Sequence, residues 1–155
     1  MIHIDQNLTA EDLSGVCEDL FTTSASKLRL LQARWDSANG SPVFTVAGQY
    51  TTRGWTEWTQ GFQFGSALLQ FDATGDEEFL TIGREATLRW MAPHISHTGV
   101  HDHGFNIVST YGNLLRLMNE RRLPENAWER HFYELALKLS GAVQAARWTA
   151  LGPDS

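Results

Sequence analysis

The sequence predicts an all-α fold made of successive antiparallel helix hairpins. Apolar residues recur at helical spacing through most of the chain, and turns rich in glycine and proline separate these segments. The 155 residues are 42% hydrophobic and 19% charged, which is sufficient for a sizeable core in one domain. We therefore expect a single helical unit over residues 1–155.

Each predicted helix has a recognisable beginning or end. Thr9 and Asp12 form a capping-box pattern, and the first helix is expected over residues 10–38. A Gly-Pro turn ends it, and residues 43–53 are expected to be extended or irregular with no obvious partner strand. The remaining helices are predicted over residues 57–73, 77–91, 103–119 and 125–151.

Charge and composition limit the possible partners and location. The net charge of −6 disfavours binding to a phosphate backbone, so nucleic acid is not an expected partner. No secretion signal and no apolar run of the roughly 20 residues that cross a bilayer is visible, which predicts a cytoplasmic protein without membrane contact. The single cysteine, Cys17, cannot form an internal disulfide and is expected to fill core space.

A cluster of aromatic residues near the start of the second helix is the first candidate site. Trp58 and Phe62 are four residues apart and share a helix face, with Trp55 just before them. Such a stripe is commonly core packing, but the polar side chain of Gln60 and the small Gly61 lie beside it. Aromatic faces stack on the apolar faces of sugars, so this cluster also fits a carbohydrate site.

The second candidate site is the sequence His101-Asp-His-Gly-Phe105, at the start of the fourth helix. Asp102 could simply cap that helix. It could also serve as a proton donor, because apolar surroundings raise a carboxyl pKa, whereas the neighbouring His101 and His103 would lower that pKa if protonated. The sequence leaves both roles open.

A metal site is a further alternative for this region. Imidazole and carboxylate groups are ligands for zinc and manganese. The candidate ligands lie within ten residues: His94, His97, His101, Asp102 and His103. Because adjacent residues at a helix start point in different directions, we rank this alternative below a metal-free site.

The motifs together resemble a known family. The segments Trp58-Thr-Gln-Gly-Phe62, Ala73-Thr-Gly-Asp-Glu-Glu-Phe-Leu80 and His101-Asp-His-Gly-Phe105 resemble the unsaturated glucuronyl hydrolases of glycoside hydrolase family 88 in order and spacing. The resemblance implies the N-terminal part of an (α/α)6 toroid. It also implies a glycosidase that hydrates the C4=C5 vinyl ether of oligosaccharides ending in a 4,5-unsaturated uronic acid, without metal or organic cofactor.

The resemblance also implies roles for individual residues. Asp102 matches the first of two important family aspartates, and Trp58, Phe62 and His101 match residues of the sugar site. We expect Gln60 and His103 to contact substrate as well, although Gln60 stands where the family commonly has Asp and His103 where it has an apolar residue.

The family's second aspartate has no counterpart before Ser155. We therefore expect the chain to be incomplete, and to act with a C-terminal half or by self-association. The alternative is a non-catalytic helical domain that binds carbohydrate or serves as a scaffold.

Overall fold

A computed structural model describes residues 7–53, 58–99, 101–149 and 152. Trp55, part of the predicted aromatic cluster, lies outside the described residues. The described chain is mostly helical, as predicted, and it also contains one two-stranded sheet. It divides into two units, Met1–Arg34 and Trp35–Ser155, which are described separately.

The first unit contains one long helix that begins at the predicted capping box. The Thr9 N–H donates to Asp12 Oδ2 (2.9 Å), and the Asp12 N–H donates to Thr9 Oγ1 (3.4 Å). A 3-10 turn, Glu11–Leu13, leads into helix α1, Ser14–Arg34. No residue of α1 is buried. The prediction that Cys17 fills core space is therefore wrong, since its side chain is exposed.

A β-hairpin opens the second unit and corrects one prediction. Strand β1, Pro42–Val46, pairs antiparallel with β2, Gln49–Thr52, where the sequence suggested no partner strand. The partner follows after only two residues, Ala47 and Gly48. Both have positive φ angles (49° and 75°), as tight hairpin turns require.

The first helix is shorter than predicted because a separate 3-10 turn, Ser37–Asn39, replaces its last residues. The carboxylate of Asp36 accepts the Ala38 N–H and so caps this turn. Trp35, which falls within the predicted first helix, lies after the end of α1 and donates from Nε1 to the carbonyl of Gly40 (2.8 Å). Its ring also meets Tyr50 of β2 edge-on.

The helices of the second unit begin close to their predicted positions. Their bounds are α2 Thr59–Thr74, α3 Glu77–Trp90, α4 His103–Ile107, α5 Asn113–Asn119 and α6 Ala127–Ala145. A short 3-10 turn, Ala92–His94, follows α3. Helix α6 ends before the predicted residue 151, and Trp148, which falls within the predicted helix, lies after its end and is exposed. Among the described residues, no helix has the length and apolar character needed to span a membrane.

Helices α2 and α3 form the predicted hairpin. Gly75 adopts a left-handed conformation (φ 73°) at the end of α2, and the Asp76 side chain caps α3 by accepting the Glu78 N–H (3.1 Å). Gly83 of α3 lies against Leu68 of α2, where a larger residue would collide. The buried side chains of the core are contributed mainly by α2, α3 and α5, with Tyr111, Tyr133 and Ala136 from the neighbouring segments.

The helical stretch that begins within the second candidate motif contains a π-helical turn. Residues Val108–Gly112 form a π-helical turn between α4 and α5, so these three segments make one continuous helical stretch from His103 to Asn119. The sequence predicted this stretch but not the π turn. Such turns are frequent near functional sites, and this one begins three residues after Phe105, the last residue of the second candidate motif.

Candidate functional site

The two candidate motifs meet in the structure and form one exposed surface of three aromatic rings. We call Trp58, Phe62 and Phe105 the aromatic patch. Ring centroids are 5.5 Å apart for Trp58–Phe62, 5.6 Å for Trp58–Phe105 and 5.1 Å for Phe62–Phe105. The three residues keep 37%, 41% and 45% of their surface exposed, so the rings contact one another and also face solvent.

A glycine allows the two motifs to come this close. A Cβ atom at Gly61 would overlap the carbonyl oxygen of Phe105 and the Cα atom of Asn106. One turn later, a Cβ at Gly65 would lie 2.7 Å from the carbonyl oxygen of Ser109. At these two glycines α2 is approached closely by the helical stretch that begins at His103, and this contact places Phe105 beside Trp58 and Phe62.

Asp102 stands at the N-cap position of α4, but its side chain makes no capping hydrogen bond. Its backbone carbonyl accepts the Phe105 N–H (3.0 Å), which places Asp102 one turn before the third ring of the patch. Oδ2 lies 3.5 Å from Nε2 of His101, whose side chain is 87% exposed. The sequence left two roles open for Asp102, and the first of them, side-chain capping of this helix, is not observed.

Gln60 is buried and belongs to a closed ring of hydrogen bonds behind the patch. Its Oε1 accepts from Nε2 of His94 (2.8 Å), and Nδ1 of His94 accepts from Nδ2 of Asn106 (3.2 Å). Oδ1 of Asn106 in turn accepts the N–H of Gly61 (2.9 Å), the residue that follows Gln60. We call Gln60, Gly61, His94 and Asn106 the buried network. Gln60, predicted to contact substrate, thus lies beneath the exposed surface.

The buried network requires His94 to be neutral. Its two nitrogens have opposite roles, one donating and one accepting, so a second proton would displace the Asn106 amide. Burial, followed by the nearby His97 and His103 imidazoles, lowers the pKa of His94 to about 4. His94 therefore stays neutral at ordinary pH, as its hydrogen bonds require.

His103, also predicted to contact substrate, is only 2% exposed. Its Nε2 donates to the backbone carbonyl of His97, and its Nδ1 accepts from the hydroxyl of Ser140 on α6 (3.3 Å). Burial lowers the pKa of His103. The His103 side chain therefore joins α4 to α6 and lies beneath the exposed surface.

The histidines considered as metal ligands make separate contacts in the structure. His94 lies in the buried network, His103 binds backbone and Ser140, and His101 projects into solvent. Over residues 7–53, 58–99 and 101–149, no three His, Cys, Asp or Glu side chains converge as a metal site would need.

A shallow pocket of about 170 Å³ lies elsewhere, at the start of α6. Its polar lining residues bind one another: Glu129 accepts from Arg84, from Asn126 (3.3 Å) and from the hydroxyl of Tyr133 (3.0 Å). Because these groups already satisfy each other, they hold α3 against α6, and we do not treat the pocket as a binding site.

Phe105 and Asn106 were not predicted as site residues, although Phe105 is the last residue of the second candidate motif. An apolar ring directly after Gly104 at a helix start is a usable signal for an exposed aromatic. Asn106 carries no such signal, because its importance depends on the crossing of α2 and α4.

No protein-family model, curated protein or solved structure matches this chain.

Proposed function

We propose that the aromatic patch is a carbohydrate-binding surface. The observation that carries the proposal is the convergence of Trp58, Phe62 and Phe105, from two motifs more than forty residues apart, into one solvent-facing set of rings. Three large rings held partly in water cost free energy, whereas the apolar face of a sugar ring can cover them by stacking. The rings differ in orientation, with interplanar angles from 35° to 86°, so a single sugar would stack on one of them and contact the others with its edges.

Polar groups at the edge of the patch complete the proposed site. Asp102 is the N-cap residue of α4 and His101 precedes it, so they lie three and four residues before Phe105, and the Asp102 carboxylate makes no capping bond. A carboxylate and an imidazole there can accept from and donate to sugar hydroxyl groups. Small polar sets beside an apolar surface are the usual composition of a ligand site.

The reaction we propose is hydration of the C4=C5 double bond of a 4,5-unsaturated uronyl residue. Support comes from the resemblance of the two motifs and from their meeting at one surface. Protonation of C4 builds positive charge at C5, which the carboxylate of Asp102 would stabilise from the edge of the patch. A water oxygen then bonds to C5 and loses its proton, and the resulting hemiketal opens and releases the rest of the oligosaccharide.

The (α/α)6 toroid belongs to this proposal. The α2–α3 hairpin and the helical stretch packed beside it are the kind of unit from which such a ring is built. In this arrangement the acid that protonates C4 would come from outside these 155 residues, from a C-terminal half or from a second copy of the chain.

A specific observation favours a second candidate, carbohydrate binding without catalysis. Asp102 is the only carboxylate in the two motifs that form the patch, and glycoside hydrolysis commonly uses two carboxyl groups. The two candidates share the binding surface and differ only in turnover, so one experiment can separate them.

The experiment is a titration of the chain with an unsaturated uronyl disaccharide, followed by tryptophan fluorescence, with the ultraviolet absorbance of the double bond recorded in parallel. Saturable binding that is weakened about fivefold or more by Trp58→Ala supports the carbohydrate site, since stacking on an aromatic ring contributes roughly 1 kcal/mol or more. The longest native product of the gene is measured beside the chain, because it would supply an acid that the chain lacks. Loss of absorbance in either sample supports the hydrolase, and binding without such loss in both supports the non-catalytic candidate.

Trp128→Ala is the matched control, because Trp128 is an exposed tryptophan that stacks on Phe132 of α6 (5.4 Å) away from both motifs. Equal weakening by the two substitutions, or no saturable binding by the wild-type chain, would count against the proposed function.

A further inference from the structure

The buried network lies directly behind the aromatic patch and joins the elements that carry its rings. Gln60 and Gly61 belong to the first turn of α2, between Trp58 and Phe62. Asn106 is the residue after Phe105 in α4. Each hydrogen bond of the network therefore ends one or two residues from a ring of the patch.

The Asn106 side chain caps the first turn of α2, because the N-cap residue of that helix does not. Helix α2 begins at Thr59, and its N-cap, Trp58, makes no side-chain capping bond. The N–H of Gly61 is the third of the helix and has no acceptor within it, as for every helix start. Oδ1 of Asn106 accepts this N–H at 2.9 Å, so a side chain from α4 caps α2.

His94 holds the Asn106 amide in the orientation that this cap needs. An amide can rotate by half a turn and present its NH₂ group instead of its oxygen. Because Nδ1 of His94 accepts from Nδ2 of Asn106, the oxygen is directed to Gly61. Gln60 sets the imidazole in turn by accepting from Nε2. The four groups thus define one another's orientation.

We infer that Asn106 and His94 are positioning residues that align Trp58 and Phe62 with Phe105, an inference that rests on the proposed function only for its consequence in sugar binding. The buried hydrophobic side chains of α2 follow its first turn, at Phe64, Ala67, Leu68 and Phe71. Loss of the network therefore leaves the core packed but releases the first turn of α2 from α4. The rings of the patch then separate, and the surface on which a sugar would stack is lost.

The test uses the full chain labelled with 5-fluorotryptophan, its Trp58 fluorine resonance being assigned by Trp58→Phe. Asn106→Ala and His94→Gln should each shift or broaden the Trp58 resonance at a temperature where the protein is fully folded, and leave the Trp128 resonance unchanged. The same variants should weaken binding of an unsaturated uronyl disaccharide by about fivefold to tenfold, the equivalent of one lost cap.

Asn113→Ala is the matched control. Asn113 begins α5 on the same helical stretch. Its Nδ2 donates to the carbonyl of Ser109 (3.0 Å) and its Oδ1 accepts from Nε of Arg116 (3.3 Å), so its loss removes amide hydrogen bonds that do not belong to the buried network. It should lower stability but leave both the Trp58 resonance and sugar affinity at wild-type values.

Each outcome decides between positioning and a purely structural role. An unchanged Trp58 resonance in folded Asn106→Ala would overturn the inference, even if that variant were less stable. Should Asn106→Ala fail to fold, His94→Gln carries the test, because the glutamine NH₂ can replace Nε2 as the donor to Gln60, whereas its oxygen does not then lie where Nδ1 accepts from Asn106. If the wild-type chain binds no sugar, the proposed function fails, but the resonance still decides whether the network aligns the rings.

Discussion

Gly61 and Phe105 meet backbone to backbone, with no space between them for even a methyl group. This contact is where α2 crosses the helical stretch that begins at His103, and it lies under the three rings of the aromatic patch. The same glycine receives the Asn106 cap through its N–H. One residue therefore sets both the distance between the two motifs and the start of α2.

The contact predicts the effect of Gly61→Ala. The added methyl would overlap the Phe105 carbonyl, which belongs to backbone and cannot move alone, so we expect destabilisation by about 1–3 kcal/mol. Denaturant unfolding measures this. Gly141→Ala is the control, because Gly141 lies in α6 with open space around it and the same change should stabilise by roughly 0.5–1 kcal/mol. Equal effects at both positions would contradict the close approach.

The neutral state of His94 predicts how stability depends on pH. Its pKa is about 4 in the folded chain and 6.5 when unperturbed, so between these values the unfolded chain binds more protons. Stability should therefore be full above pH 6.5 and fall as the pH is lowered from about 6.5 to about 4. The lowered pKa of His103 acts in the same direction. Unfolding midpoints measured across this range should fall less steeply in His94→Gln, and parallel curves would contradict the prediction.

Asp102→Asn separates function from stability. Because the Asp102 side chain makes no capping bond, we expect the free energy of unfolding to change by less than about 0.5 kcal/mol. Any turnover of an unsaturated uronyl oligosaccharide, measured by ultraviolet absorbance, should fall sharply. Unchanged turnover would remove Asp102 from the proposed reaction, and a large loss of stability would restore the capping role.

Glu129 should be the most sensitive carboxylate of the second unit. Its side chain is 9% exposed and accepts from Arg84, Asn126 and Tyr133, so Glu129→Ala would leave several donors without their acceptor. We expect destabilisation by roughly 1–3 kcal/mol in denaturant unfolding. The exposed Glu125, paired with Arg130, is the control, and its truncation should have little effect because solvent screens that pair. A similar loss at the two positions would argue that burial of Glu129 is unimportant.

The sequence by itself determined the helical class, the approximate bounds of α2 and α3, and the capping box of Thr9 and Asp12. These features depend on local periodicity and on side chains that bond to neighbouring backbone, so a short window of sequence contains their cause.

Only the tertiary structure decided which residues of the two motifs face solvent. Gln60 and His103 are polar and stand within the motifs, but the crossing of α2 and α4 and the packing of α4 on α6 bury them among hydrogen-bond partners. Phe105 is apolar, and the same crossing leaves it exposed beside Trp58. Exposure depends on which elements pack against a residue from far along the chain, and no local pattern contains that information.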